Sequence, residues 1–471
     1  MMGLREAAQA TGGSFSGVGQ DEDRRVFVGV STDSRTIAAG ELFVALRGEN
    51  YDGHDYVVAA LARGAAAAMV DASWVDKHEE VSRGLPFLIT ADTRLALGNL
   101  ARYWRGRFAL PLIAVTGSNG KTTVKEMCAT ILREQARADG YDPELAVLAT
   151  SGNLNNDIGM PLMLLRLRLV HRAAVIEMGM NHPGEISYLT DIARPSVALV
   201  NNAQRAHLAG LGGLTEVARA KGEIFAGLAE GGTAVINVDD PFAALWWEMA
   251  GNHAVIGFGL NEAAEVSAKY TAHALGGVLQ LATPRGAAEV QLKVPGRHNA
   301  MNALAATAAT LALGVDLAAV VAGLSGYAGV KGRLQCLPAQ GGAALIDDSY
   351  NANPDSVCAA IDVLAALPGK KILVLGDMGE VGEAAAQVHD EIGGYAKSMG
   401  LDRLFTLGEH AATAARNFGG GGAHFKNVAS LIEALRPLLD RETTVLVKGS
   451  RFMKMERVVE AIAEKGGIQC C

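Results

Sequence analysis

The chain lacks any uninterrupted apolar run near the roughly 20 residues that span a bilayer, and no charged segment followed by a signal core stands near its first residues. These absences predict a protein that neither inserts stably in a membrane nor is exported, and so a cytoplasmic one. A basic arm is also missing. With 42 Lys and Arg against 50 Asp and Glu the formal net charge is −8, which argues against a dedicated nucleic-acid surface and requires local positive sites for any anionic ligand. Cysteine is scarce: Cys128, Cys336, Cys358, Cys470 and Cys471 are an odd number without metal-ligand spacing, so they read as reduced and incidental, the terminal pair as a frayed tail. No internal repeat and no low-complexity linker is found, which excludes a repeat array.

What is present suits a globular α/β protein. The chain has 471 residues, 49% hydrophobic and 20% charged, with 56 glycines for tight strand-to-helix turns. That length exceeds what one core organises, so two or three domains are expected. From Met1 to about Phe87, short strands (Val26 to Val30, Leu42 to Leu46) alternate with an Ala-rich helix near Val57 to Ala67, which predicts a small α/β domain over 1–88. Short apolar runs then recur at Leu112 to Val115, Ala173 to Ile176, Val197 to Val200, Thr233 to Ile236 and Ala254 to Gly257. Buried parallel strands read this way, giving a central domain over 89–328 that ends with an Ala-rich helix from Asn299 to Leu313. A third domain over 329–471 repeats the pattern at Ala344 to Ile346, Ile372 to Leu375, Arg403 to Leu407 and Val445 to Val447, a doubly wound Rossmann-like arrangement.

In an open α/β sheet ligands sit beyond the carboxyl ends of the strands. After Leu112 to Val115 comes Thr116-Gly117-Ser118-Asn119-Gly120-Lys121-Thr122-Thr123, opening a helical pattern. This is a phosphate-binding loop: backbone N–H groups and a helix N-terminus face an anion, Lys121 reaches the outer phosphates and the Thr122 hydroxyl holds magnesium. The strict pattern wants glycine at 115, where Val115 stands, so this is a variant loop and the central domain reads as a P-loop ATPase. Glu177-Met178-Gly179, Asn201-Asn202 and Asn237-Val238-Asp239-Asp240 follow the next strands, and these polar ends should converge on one crevice.

Within that crevice Glu177 and His207 are each either magnesium ligands beside nucleotide phosphates or, respectively, a cap or ion-pair partner and a structural hydrogen-bonder. The amide-rich loop Asn153-Leu154-Asn155-Asn156-Asp157-Ile158-Gly159 is either a polar ligand site or a solvated turn. Lys221 falls on a helical pattern, where an exposed lysine without function is the default. Arg333 could reach a γ-phosphate from the third domain and Asp348 a ribose hydroxyl, or both could be interdomain ion-pair partners. Lys448 and Arg451 could bind a substrate carboxylate or simply be solvated.

Taken together these segments resemble the ATP-dependent Mur ligase family of bacterial cell-wall synthesis over essentially the whole chain. The resemblance rests on Thr116 to Thr123, Glu177-Met178-Gly179, the His207 and Lys221 segments, Gly296-Arg297-His298-Asn299 with Asn302, and Gly332-Arg333-Leu334, in the family's order. Gly152 to Gly159, Asp347 to Pro354 and Gly376 to Glu380 are similar to the branch that adds D-alanyl-D-alanine, and the Asp-Asn-Pro-Arg motif of the branch adding the third residue is absent. Ser31 to Arg35 with Gly40 to Gly48 are similar to the domain for the UDP end of the substrate. The resemblance implies an ADP-forming carbon–nitrogen ligase that joins D-alanyl-D-alanine to UDP-N-acetylmuramoyl-tripeptide through an acyl phosphate, acting as a monomer with ATP and two magnesium ions. It implies catalytic roles for Lys121, Glu177, His207, Lys221 and Arg333, and nucleotide contacts from Gly117 to Thr123, Asn299, Asn302, Arg333 and Asp348. Metal ligation falls to Thr122, Glu177, His207 and a carbamylated Lys221, and substrate binding to Ser34, Arg35, Asn153, Asn156, Asn351 and Asn353. Ala209 departs from the glutamate usual in close relatives, which touches only the surroundings of His207. The competing readings are a folylpolyglutamate synthase, against which the UDP-domain likeness discriminates, and a nucleotide-regulated binding protein without ligation.

Overall fold

The computed structural model describes residues 1–471 apart from 17–24, 79, 81–83, 206–210, 262, 274, 380 and 465–471, and the side chain at 383. The first domain holds a sheet of β1 (Ser14–Ser16), β2 (Val30–Ser31), β3 (Leu42–Val44), β4 (Ala67–Asp71) and β5 (Phe87–Thr90) in the order β1-β5-β4-β3-β2. Only β1 runs antiparallel. The expected strand from Val26 to Val30 is split, because Val26–Phe27 pairs instead with Met2–Gly3. Helix α1 (Thr93–Arg105), capped by Asp92, leads into the central domain.

The central sheet contains β6 (Leu112–Thr116), β7 (Val147–Ala149), β8 (Ala173–Glu177), β9 (Val197–Val200), β10 (Thr233–Asn237) and β11 (Ala254–Gly259), followed by β12 (Val266–His273), β13 (Gly276–Thr283) and β14 (Gly286–Leu292). Their order is β14-β13-β12-β11-β10-β9-β6-β8-β7. Strands β6 to β11 are parallel and, apart from the open first half of β11, mostly buried, as their unbroken apolar runs require. The last three form an antiparallel edge. Sequence periodicity missed that edge because its strands alternate buried and exposed residues, as β13 does, in place of a continuous apolar run. Register keeps the carboxyl ends level: Glu177 lies opposite Val115, and Val200 opposite both Thr116 and Ile236.

Helix α2 (Lys121–Ala138) springs from the loop after β6 and, with α4 (Arg297–Ala312), covers one sheet face. The other face shares a continuous core with the first domain, where Leu42, Met69 and Leu88 join Ala114, Ile176 and Val200. Helix α3 (Leu214–Gly222) lies between α2 and α4 in the chain. The third domain has β15 (Gln335–Pro338), β16 (Ala344–Asp348), β17 (Lys370–Gly376), β18 (Arg403–Leu407), β19 (Gly422–Phe425) and β20 (Thr443–Lys448), ordered β15-β16-β20-β17-β18-β19. Its two faces carry separate apolar cores, and α5 (Pro354–Ala365) packs on one of them. The architecture is therefore three α/β domains, with a mixed sheet at the centre. Among the described residues no helix is long and apolar enough to cross a membrane.

Candidate active site

The carboxyl ends of β6, β8, β9 and β10 open into one cleft of about 1500 Å³. Its walls include Glu49 of the first domain, the phosphate loop of the second, and Arg333, Tyr350, Asn351 and Lys448 of the third. The loop is shaped by two constraints on Gly120. Its φ of 79° is left-handed, and a Cβ there would lie 2.4 Å from Asn302 Oδ1 and 2.5 Å from Asn201 Nδ2. No side chain fits, so the backbone can turn directly into the N-terminus of α2.

Lys121 Nζ donates to the carbonyls of Gly117 (2.8 Å) and Ser118 (3.3 Å), which folds it over the loop. Ser118 Oγ donates to Gln204 O at 3.1 Å and accepts from Gln204 N at 2.9 Å. Behind the loop runs a chain of amides. Asn201 Nδ2 donates to Asn119 O (3.0 Å) and Asn302 Oδ1 (2.9 Å), Asn302 Nδ2 donates to Asn299 Oδ1 (3.2 Å), and Asn299 Nδ2 donates to Pro295 O (2.7 Å). Asn299 and Asn302 thus line the cleft while bracing the loop from α4.

Beside Lys121 the Thr122 hydroxyl donates to Glu177 Oε2 at 2.8 Å, and Asn155 Nδ2 donates to Glu177 Oε1 at 2.8 Å. Thr150 Oγ1 accepts from the Glu177 amide at 2.9 Å, fixing the end of β8. The hydroxyl and carboxylate, both buried, are hard oxygen donors side by side at the phosphate loop, a donor set suited to magnesium. No cluster of three or more His, Cys, Asp or Glu able to hold a metal occurs among the described residues. His207 and Ala209 lie outside the described residues.

Lys221, near the end of α3, is 1% exposed. Burial pushes its pKa well below the ordinary lysine value, and the Lys121 charge pushes in the same direction. A surface lysine, the default for that helical pattern, is therefore ruled out by packing. In the third domain Asp348 accepts from Lys448 Nζ at 2.6 Å and from Leu334 N at 3.2 Å. Burial raises the Asp348 carboxyl above its ordinary value against the pull of Lys448. The Arg333 guanidinium stacks 4.3 Å from the Tyr350 ring centre, facing the cleft.

The remaining sequence candidates divide. Asn153, Asn156, Asn351 and Asn353 line the cleft. Asn156 Oδ1 accepts from Gly159 N at 2.8 Å, Asn351 Oδ1 from Ala352 N at 2.9 Å, and Asn353 Oδ1 from Ser356 N at 2.9 Å, so each also shapes its own turn. Arg35 is tied to Asp33 at 2.8 Å with its side chain 85% exposed, and neither it nor Ser34 lines the cleft. Sequence reasoning quoted Asn155 within the amide-rich loop and Asn201 at a polar strand end without choosing either. Their contacts with Glu177, and with Asn119 and Asn302, join separate segments of the chain, so no local signal marks them. Thr150, Arg205 and Asp355 carry no local signal.

The chain matches the Mur ligase middle domain over residues 115–310, the Mur ligase glutamate ligase domain over 332–451, and the Mur ligase family catalytic domain over 26–105. It is 43% identical, over 93% of its length and 94% of the relative's, to the UDP-N-acetylmuramoyl-tripeptide–D-alanyl-D-alanine ligase of Escherichia coli. Its fold superposes on a crystal structure of MurF from Acinetobacter baumannii with a TM-score of 0.87, at 38% identity covering 97% of this chain and 98% of that one. MurF ligase from Thermotoga maritima, solved with ADP, gives 0.78 at 27% identity, covering 92% and 96%. With a phosphate loop, a paired hydroxyl and carboxylate and three matched domains in one cleft, the chain belongs to the Mur ligase family.

Proposed function

We propose that this protein is the ATP-dependent ligase that joins D-alanyl-D-alanine to UDP-N-acetylmuramoyl-tripeptide, making the pentapeptide precursor of peptidoglycan. The observation that carries this reading is the single cleft, which brings a phosphate loop, the Thr122–Glu177 pair and the third domain's arginines to one place, in a chain alike over nearly its whole length to a ligase of that name.

A carboxylate is a poor electrophile, so the reaction needs a leaving group. The terminal carboxylate oxygen of the tripeptide attacks the γ-phosphorus of ATP, the bond to the bridging oxygen breaks, and ADP departs, leaving an acyl phosphate. The free amine of D-alanyl-D-alanine then attacks the acyl carbon, loses a proton, and phosphate is expelled. Lys121, folded over the loop, neutralises charge on the transferred phosphoryl group, and the first-turn amides of α2 hold the phosphates. Arg333 approaches the γ-phosphate from the third domain, Asn299 and Asn302 meet the adenine side of the nucleotide, and Asp348 its ribose. Thr122 and Glu177 would hold magnesium, which when bound would neutralise phosphate charge. A second ion would fall to His207 and Lys221. Burial disfavours the charged form of Lys221 and so favours the free amine, the form that can add carbon dioxide and become an anionic carbamate. Ser34 and Arg35 bind the UDP end, and Asn153, Asn156 and Asn351 face the peptide and dipeptide, while the side chain of Asn353 is taken up by Ser356 N and Asn119.

The test is mass spectrometry of a reaction with ATP, magnesium, UDP-N-acetylmuramoyl-tripeptide and D-alanyl-D-alanine, run beside one without the dipeptide. A UDP-muramoyl-pentapeptide formed in step with ADP is expected. Equal ADP in both reactions without pentapeptide would overturn the substrate assignment and favour a nucleotide-driven switch.

A further inference from the structure

The first turn of α5 meets the phosphate loop directly. Asn353, its N-cap, donates from Nδ2 to Asn119 Oδ1 at 2.8 Å and accepts from Asn119 Nδ2 at 3.3 Å. Asp355, two residues on, receives Arg205 in a fork: Arg205 N to Oδ2 at 2.7 Å, and Nε and Nη2 to Oδ1 at 3.0 and 2.8 Å. Glu391 lies 4.0 Å from the same guanidinium. These bonds join segments 234 and 150 residues apart, and all leave a single helical turn.

One partner, Asn119, is part of the phosphate loop, and the other, Arg205, is tied to that loop through its neighbour Gln204. Asn119 N donates to Asn202 Oδ1 at 2.8 Å, and its carbonyl accepts from Asn201 and Asn202. The aim of its side chain therefore follows the shape of the phosphate loop. Arg205 directly follows Gln204, which is bonded to Ser118 and, at 2.6 Å, to Asn119 Nδ2. Farther along α5 a second contact crosses the same boundary. A Cβ on Gly296, whose φ is 98°, would fall 2.6 Å from His298 Cε1 and 2.8 Å from Val363 Cγ2, so a side chain there would crowd α5. Leu275, between β12 and β13, packs on the third domain's core nearby.

The contacts at the first turn are polar and half-exposed, with 43% of the Arg205 and 24% of the Asp355 side chain open to solvent. Water can replace such bonds at little cost, unlike an apolar interface, so they suit a joint that opens and closes. We infer that the first turn of α5 is a latch docking the third domain onto the phosphate loop, with Asn353 and Asp355 as positioning residues that hold Asn119 and Arg205. Closure is thereby tied to the loop's geometry, and the cleft wall carrying Arg333 is set against Lys121 only when the latch is made. The activity arm of the test rests on the ligase reading; the docking arm does not.

The variants are Asn353→Ser, which keeps a capping oxygen but cannot span to Asn119, Asp355→Asn, Arg205→Gln, and the double Arg205→Gln/Asp355→Asn. With magnesium-ADP as probe, small-angle scattering should give a larger radius of gyration for each variant than for the wild type. Turnover should fall about tenfold, while the ADP dissociation constant and the dipeptide KM stay within about twofold. The double variant should lose no more than either of its singles, because both remove the same link. Wild-type compaction and turnover in Asn353→Ser and Asp355→Asn would overturn the latch, and so would additive losses in the double variant. A large rise in dipeptide KM at unchanged compaction would make Asn353 a substrate contact instead. Should the wild type form no pentapeptide, the ligase reading fails, and scattering with ADP affinity still decides the latch.

Discussion

His298, the second residue of α4, shows how a site residue acquires a property from its surroundings. It lines the cleft, and burial followed by the nearby Lys448 charge lowers its pKa from 6.5 to about 4. The folded value lies below the ordinary one, so as pH falls the unfolded chain takes up the proton first. The neutral ring's contribution is therefore complete above pH 6.5 and is lost as the pH drops toward 4, by about 3 kcal/mol at most. His298→Asn should flatten the pH dependence of the urea midpoint across that window; an unchanged profile would show that the acid sensitivity lies elsewhere. Residue roles set by local backbone geometry, such as Gly120, Lys121 and Thr122, were legible in the sequence because loop and helix start are contiguous. The burial of Lys221 and the pairing of Arg205 with Asp355 were not, since neighbours distant in the chain create both.

At the scale of elements, α2 does more than present its N-terminus to phosphate. Lys125, one turn after Lys121, is 2% exposed and donates to Thr150 O at 2.7 Å and to Glu126 Oε1. Thr150 in turn holds the Glu177 amide through its hydroxyl. The helix therefore fixes the carboxylate at the end of β8 through the segment after β7. Lys125→Met keeps the apolar stem but strands a buried carbonyl, and should lower stability by about 2 kcal/mol in urea unfolding followed by tryptophan fluorescence. A wild-type midpoint would mean that water satisfies Thr150. The strands that surround this helix were readable from their apolar runs, with β9 expected at the bounds observed, as was β18 in the third domain. Strands β12 to β14 were not, because at a half-exposed edge the apolar signal is diluted by solvent-facing positions.

For the whole molecule, Lys121 and Arg333, on different domains, line one cleft, and the proposed chemistry has them face one nucleotide across it. Arg333→Ala should lower kcat by about a hundredfold or more while leaving the KM for ATP nearly unchanged, since the role proposed for the arginine is on charge that develops in the transition state. Equal kcat in steady-state assays would remove its role at the γ-phosphate. The sequence by itself determined the three α/β domains, the phosphate loop with its lysine and threonine, the polar strand ends and, through their order, the family. Those features are local: each depends on apolar periodicity or on the backbone of a few successive residues. The tertiary structure alone decided which amides brace the loop, that Lys221 is buried, and that the first turn of α5 grips Asn119 and Arg205. Those depend on desolvation and on contacts between segments far apart in the chain, and no window of the sequence contains both partners.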